Sequence, residues 1–235
     1  MPEPEGLPIV LIPGLTCTAR LYAEQIPVLW RFGPVTVADQ RRDDSMAAIA
    51  QRILAAAPQR FALAGLSMGG YIAFEIMRQA PERVGKLALL DTGARADTPE
   101  QTERRRVLTA KAKAGGYGEI ADLAYPLYVH RNRHNDAALK SIVRTMVEET
   151  GPEAYLRQQQ AILSRPDSRS GLPAIACKTL VLVGEGDEAT PPELAREIAA
   201  GISGSRLVIV ADSGHLSTLE KPQAVNTALV EWLQW

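Results

Sequence analysis

The sequence predicts an α/β fold built on a parallel sheet, with a block of helices inserted late in the sheet. Three observations predict it. Six short apolar runs, mostly β-branched, recur along the chain: Pro8–Ile12, Val35–Ala38, Arg60–Ala64, Lys86–Leu90, Thr179–Val183 and Arg206–Val210. Each is nearly continuous rather than alternating, as expected for strands covered on both faces. Helical stretches alternate with these runs, which implies right-handed crossovers and helices on both sides of the sheet. The alternation breaks once, between Asp91 and Thr179, where no strand-like run occurs.

Taken in order, each element has local support. After the first strand, Ala19–Trp30 carries apolar residues at helical spacing and ends before the Gly33-Pro34 breaker. Ser45–Ala57 opens on a capping residue, Asp44 or Ser45, and stops before Pro58. Met68–Gln79 follows the third run and ends before Pro81. The insertion reads as four helices: Pro99–Ala114, Glu119–Leu127, Asp136–Thr150 and Pro152–Leu163. Pro191–Ala200 and Pro222–Trp232 each open near a proline, which suits a first helical turn. The expected division is a core of residues 1–93 and 173–235, with a helical cap over 94–172. No internal repeat or low-complexity tract is present.

Composition narrows the function classes. With 235 residues, 46% hydrophobic and 23% charged, the chain can bury one sizeable α/β core. A net charge of −1 and the lack of a long single-sign run argue against a nucleic-acid partner. Arg104-Arg105-Arg106 follows Glu100 and Glu103, and reads as a solvated helix face. Cys17 and Cys177 are too sparse for a disulfide framework and show no metal-ligand spacing, so both are expected as reduced thiols. The start, Met1–Glu5, is acidic, unlike a secretory leader, and no apolar run approaches the ~20 residues of a membrane span. A cytoplasmic protein with no membrane partner is expected.

Chemistry concentrates at Gly65-Leu66-Ser67-Met68-Gly69, directly after a buried run and directly before a helix. In that context G-x-S-x-G is a sharp strand-to-helix turn that lifts the serine hydroxyl above the sheet edge. The flanking glycines are expected because a Cβ at 65 or 69 would strike the neighbouring strand or helix. A serine needs a base and oxyanion donors. Of three histidines, His215 follows the last strand, on the same carboxyl-end edge as Ser67. His130 and His134 stand at metal-binding i, i+4 spacing, yet beside Arg131 and Arg133 they read as exposed residues of a basic turn. Asp187, in the loop after the fifth strand, is the expected acid partner. Asp91 is a correctly sided rival, and Glu185 and Glu188 share the Asp187 loop. The expected oxyanion donors are the backbone N–H groups of Met68 and of Leu15, in the Pro13-Gly14-Leu15 loop after the first strand.

These pieces together resemble the α/β-hydrolase superfamily, in particular its small bacterial members with a helical cap between the sixth and seventh strands of the usual eight. The resemblance rests on Pro13-Gly14-Leu15, Gly65–Gly69 with Gly70, Ala80-Pro81-Glu82-Arg83-Val84, Gly184-x-x-Asp187-x-x-x-Pro191 and Gly214-His215. It implies Ser67, Asp187 and His215 as nucleophile, acid and base, with no metal and no organic cofactor. Two departures stand out. Many relatives carry His where Pro13 lies, so the support of this loop must differ. The first strand here matches the third of the usual eight, which predicts a six-stranded all-parallel sheet with Val35–Ala38 at one edge.

The resemblance implies hydrolysis of a small carboxylic ester or lactone through an acyl-enzyme on Ser67. Carbon–carbon bond hydrolysis, acyl transfer and perhydrolysis use related triads, and a low-turnover ligand receptor is a further alternative. Tyr117, Tyr125, Leu127, Tyr128, Met146, Tyr155 and Leu163 of the insertion could line an apolar pocket or pack its helices on the sheet.

Overall fold

A computed structural model describes residues 6–235; the acidic start, Met1–Glu5, lies outside them. Six strands form one sheet in the order β2-β1-β3-β4-β5-β6, every neighbour parallel. They are β1 (Ile9–Ile12), β2 (Val35–Val37), β3 (Phe61–Leu66), β4 (Val84–Leu90), β5 (Lys178–Gly184) and β6 (Arg206–Val210). The short β2 lies at one edge, as expected.

Strand residues alternate between two cores, one on each face. Val10, Ile12, Leu63, Leu87, Leu89, Val181 and Val183 pack with α1 (Met46–Ala56), α2 (Met68–Gln79) and α7 (Pro192–Gly201). Ile9, Leu11, Ala62, Ala64, Leu90, Leu180 and Leu182 face Tyr22, Leu29 and α8 (Pro222–Gln234). Burial on both faces is why these strands read as continuous apolar runs.

Ala19–Trp30 is not one helix. It is a 3-10 turn at Ala19–Tyr22 and a single α-turn at Ile26–Leu29. Pro27 is the cause: it has no N–H to donate and its ring crowds the carbonyl four residues back, so it is accommodated in a new first turn. The other expected helices are present, with ends moved by a residue or two.

Between β4 and β5 the chain forms α3 (Pro99–Lys113), α4 (Ile120–Tyr128), α5 (Ala137–Thr150) and α6 (Pro152–Leu163). A reciprocal capping box between Thr98 and Gln101 starts α3, and the Asp136 carboxylate accepts the Leu139 N–H to start α5. Gly151, at φ +77°, turns the chain between α5 and α6, where a Cβ would be strained. Among the described residues no helix is long and apolar enough to cross a membrane.

Candidate active site

Ser67 is placed by close backbone packing. It closes β3 with its N–H donated to the Leu90 carbonyl at 3.0 Å and adopts φ 55°, ψ −115°. Its own carbonyl accepts from Gly70 N–H (2.9 Å) and Thr92 Oγ1 (2.8 Å). The glycines work as expected. A Cβ on Gly65 would stand 2.3 Å from the Gly69 carbonyl oxygen, and one on Gly69 would stand 2.1 Å from that of Ile12. Without side chains at 65 and 69, α2 sits directly on the ends of β1 and β3.

His215 follows β6 and is buried, with its Nε2 2.8 Å from Ser67 Oγ and its Nδ1 2.8 Å from Asp187 Oδ2. Asp187 is itself saturated. Oδ1 accepts from the N–H groups of Ala189 (2.9 Å) and Thr190 (2.8 Å), and Oδ2 accepts from Thr190 Oγ1 (2.7 Å). An acceptor-only carboxylate at Nδ1 fixes the imidazole tautomer: Nδ1 carries the proton and Nε2 accepts from the Ser67 hydroxyl. Burial alone would pull the His215 pKa down. The charge and hydrogen bond of Asp187, aided by Asp91 and Glu220, outweigh it and hold the imidazole above its ordinary value.

The rival acid, Asp91, is fully buried but makes no hydrogen bond to His215. Its Oδ1 accepts the Gly184 N–H at 2.9 Å and its Oδ2 is hydrogen-bonded to Ser217 Oγ, so it ties β4 to β5 and to the turn after His215. Burial and the nearby Asp187 charge push its carboxyl well above the usual carboxylate range. Glu185 and Glu188 make no hydrogen bond to His215.

The N–H groups of Leu15 and Met68 have no acceptor among the described residues. Met68 is the first residue of α2, where the helix dipole is positive. Gly14 lets the first loop approach: a Cβ there would lie 3.4 Å from Ser67 Cβ. Where many relatives have a histidine, this loop is supported otherwise. Gln40 Nε2 donates to the carbonyls of Gly14 (3.1 Å) and Cys17 (3.0 Å), and Gln158 Oε1 accepts the Thr16 N–H (3.1 Å). Cys17 is buried beside this loop, and burial pushes its thiol up to about 12, so it offers no thiolate nucleophile.

The insertion grips the loop that carries His215. The Tyr128 carbonyl accepts from Leu216 N–H (3.0 Å), and the Tyr128 ring lies 5.3 Å from the imidazole. The buried Glu220 carboxylate accepts from His130 N–H (2.8 Å) with one oxygen and from Gly214 N–H (2.9 Å) with the other. His130 is therefore not part of an exposed basic turn: it is half-buried and packs against Gly186. His134 is exposed, and no cluster of three metal-ligating side chains exists among the described residues.

Sequence reasoning missed Thr190, Gln40, Gln158 and Glu220. Only Thr190 leaves a local signal, because an Asp three residues before a Thr is the spacing of a side-chain-capped turn. The others act across long separations in sequence.

A serine presented on a strand-to-helix turn at the carboxyl edge of a doubly covered parallel sheet, in line with a buried imidazole and carboxylate, defines a class of enzyme fold rather than one reaction. The chain belongs to the alpha/beta hydrolase family, whose model matches residues 9–228. An esterase from Thermogutta terrifontis, solved with malate bound, superposes with a TM-score of 0.89 at 32% identity, covering 97% of this chain and 90% of its own. The enol-lactonase from Burkholderia xenovorans LB400 gives 0.90 at 25% identity, covering 100% and 94%. A Mycobacterium tuberculosis protein whose name provisionally assigns it as a non-heme bromoperoxidase, BpoC, is 34% identical over 191 residues, 75% of this chain and 68% of its own.

Proposed function

We propose that this protein hydrolyses a small carboxylic ester or lactone, with Ser67 as nucleophile, His215 as base, Asp187 as the acid that orients it, and the Leu15 and Met68 N–H groups as oxyanion donors. The observation that carries the reading is the pair of 2.8 Å hydrogen bonds that link Ser67 Oγ, His215 and Asp187 in line. Ser67 Oγ attacks the carbonyl carbon while its proton passes to Nε2. The negative charge that develops on the carbonyl oxygen is held by two N–H groups with no other acceptor. The bond to the alcohol oxygen breaks, and His215 returns its proton to that oxygen. Water then repeats the attack on the acyl-enzyme, and the acid leaves. In a lactone the leaving oxygen stays tethered, so a hydroxy acid or its keto tautomer is released.

The similarity to an esterase and an enol-lactonase over nearly the whole chain supports this reaction class. The domain reading follows the same line: residues 94–172 act as a cap over a core of 1–93 and 173–235. The test is a fluorophosphonate probe followed by intact-mass spectrometry, with p-nitrophenyl acetate turnover beside it. One adduct and measurable turnover, both lost in Ser67→Ala, are expected. Equal turnover in wild type and Ser67→Ala would refute the proposal.

A further inference from the structure

The inner side of the insertion holds a buried hydrogen-bond donor without an acceptor among the described residues. Gln158 is fully buried on α6. Its orientation is fixed, because Oε1 accepts the Thr16 N–H beside the oxyanion loop. Its Nε2 therefore carries two N–H groups, and it has no acceptor among the described residues. Leaving a buried donor unsatisfied costs about 1–3 kcal/mol, so such a group points to an acceptor brought by something else.

Arg105 is the second donor. The side chain expected on a solvated face turns inward from α3 and is only 16% exposed. Its Nε donates to Asp97 Oδ2 (2.6 Å) and its Nη1 to Gln159 Oε1 (3.2 Å), while Nη2 makes no hydrogen bond among the described residues. Asp97 is also the partner of Arg165, at 2.8 Å, whose guanidinium lies 4.1 Å over the Tyr71 ring. Two buried guanidinium groups thus share one carboxylate, leaving one positive charge without a counterion among the described residues.

Burial pushes the Tyr128 hydroxyl up to about 12 against the pull of Arg105, and the ring of the same residue packs on His215. Gln159, which accepts from Arg105, is the next residue after Gln158 and donates to Tyr155 Oη at 2.8 Å. Arg105 is thus joined through Gln159 to the helix that carries Gln158, and Gln158 reaches the oxyanion loop at Thr16.

We infer that Arg105 and Gln158 bind a carboxylate on the acyl part of the substrate, so that the preferred ester or lactone is the half-ester or lactone of a dicarboxylic acid. A carboxylate answers both features at once, because it neutralises the surplus guanidinium and accepts from the amide. The inference rests on the hydrolase reading above.

The test compares monoethyl succinate, glutarate and adipate with ethyl butyrate, pentanoate and hexanoate in a pH-stat. Wild type should favour the best half-ester over its uncharged counterpart by at least about tenfold in kcat/KM. Arg105→Gln should reduce that ratio at least tenfold, and Arg105→Lys should retain part of it. Gln158→Glu keeps the oxygen that serves Thr16 but sets a negative charge where the N–H groups were, and should reverse the preference. Product inhibition of wild type needs no folded variant: adipate should inhibit at least tenfold more tightly than hexanoate. Equal inhibition by the two acids, or an unaltered substrate ratio in folded Arg105→Gln, would overturn the inference. Fluorophosphonate labelling separates the two failures. Labelled protein without the preference defeats the carboxylate site alone, whereas protein that neither labels nor turns over defeats the hydrolase reading and this inference with it.

Discussion

Replacing Ser67 with glycine should yield a more stable protein than replacing it with alanine, the reverse of the usual order. Both variants lose the hydroxyl and its bond to His215, so that loss cancels between them. What remains is the backbone. Ser67 sits at φ 55°, ψ −115°, a region that a residue with a Cβ occupies at a cost of about 1–3 kcal/mol. Glycine relieves that strain. It also loses more freedom on folding, which costs about 0.5–1 kcal/mol relative to alanine. The difference is about 0–2.5 kcal/mol, centred on about 1, in favour of Ser67→Gly. In a chain of this size it raises the unfolding midpoint by roughly 2–4 °C per kcal/mol. Urea unfolding of both variants, fitted by linear extrapolation with a shared slope, measures it directly. If Ser67→Ala proves as stable as Ser67→Gly or more so, the elbow is not strained and the reasoning fails.

Three further outcomes follow from the geometry. Gly69→Ala should destabilise by about 2–4 kcal/mol, because its Cβ meets the Ile12 carbonyl at 2.1 Å, whereas Gly171→Ala, with nothing within 4 Å, should be near neutral in the same urea titration. Because the folded His215 pKa is raised, the imidazole stays protonated above its ordinary value of 6.5, and the acidic limb of kcat/KM should lie above pH 6.5; a limb at or below 6.5 would contradict the pull assigned to Asp187. Asp91→Asn keeps an acceptor for Gly184, turns the Ser217 hydroxyl from donor to acceptor, and removes the titratable proton. The wild-type carboxyl has a raised folded pKa, so its contribution to stability is full below its unfolded value near 3.8 and declines as pH rises toward the folded value. The Asn variant should gain on wild type from about pH 4 upward, by about 1.4 kcal/mol per pH unit at most, and parallel pH–stability curves would refute it.

The sheet and the Ser67–Asp187–His215 arrangement were legible because their determinants are local. Continuous runs such as Leu87–Leu90 announce strands buried on both faces, and Gly65 and Gly69 announce a turn that only they can make. Ala19–Trp30 misled because its apolar spacing is helical while Pro27, one residue, breaks it. Arg105 misled more seriously. Its neighbours Arg104 and Arg106 are exposed, and nothing in the Arg-Arg-Arg run says that the middle one turns inward to Asp97, which precedes α3. Gln158 and Glu220 were invisible for a different reason. Each is an ordinary helix residue in sequence, and its role exists only once the insertion lies across a loop more than 80 residues away.

The grip of the insertion on the His215 loop has a consequence for anyone who would recombine such proteins. A lid joined only at its two ends could be exchanged as a cassette, with specificity changed and reactivity kept. Here Tyr128 and His130 bond Leu216 and Glu220, and Glu220 in turn holds Gly214, so the insertion and the core are spliced on either side of His215. A transplanted insertion that lacks this splice would deliver a new pocket over an imidazole no longer held in register. The graft that succeeds will carry Glu220 and its two amide partners across with the helices.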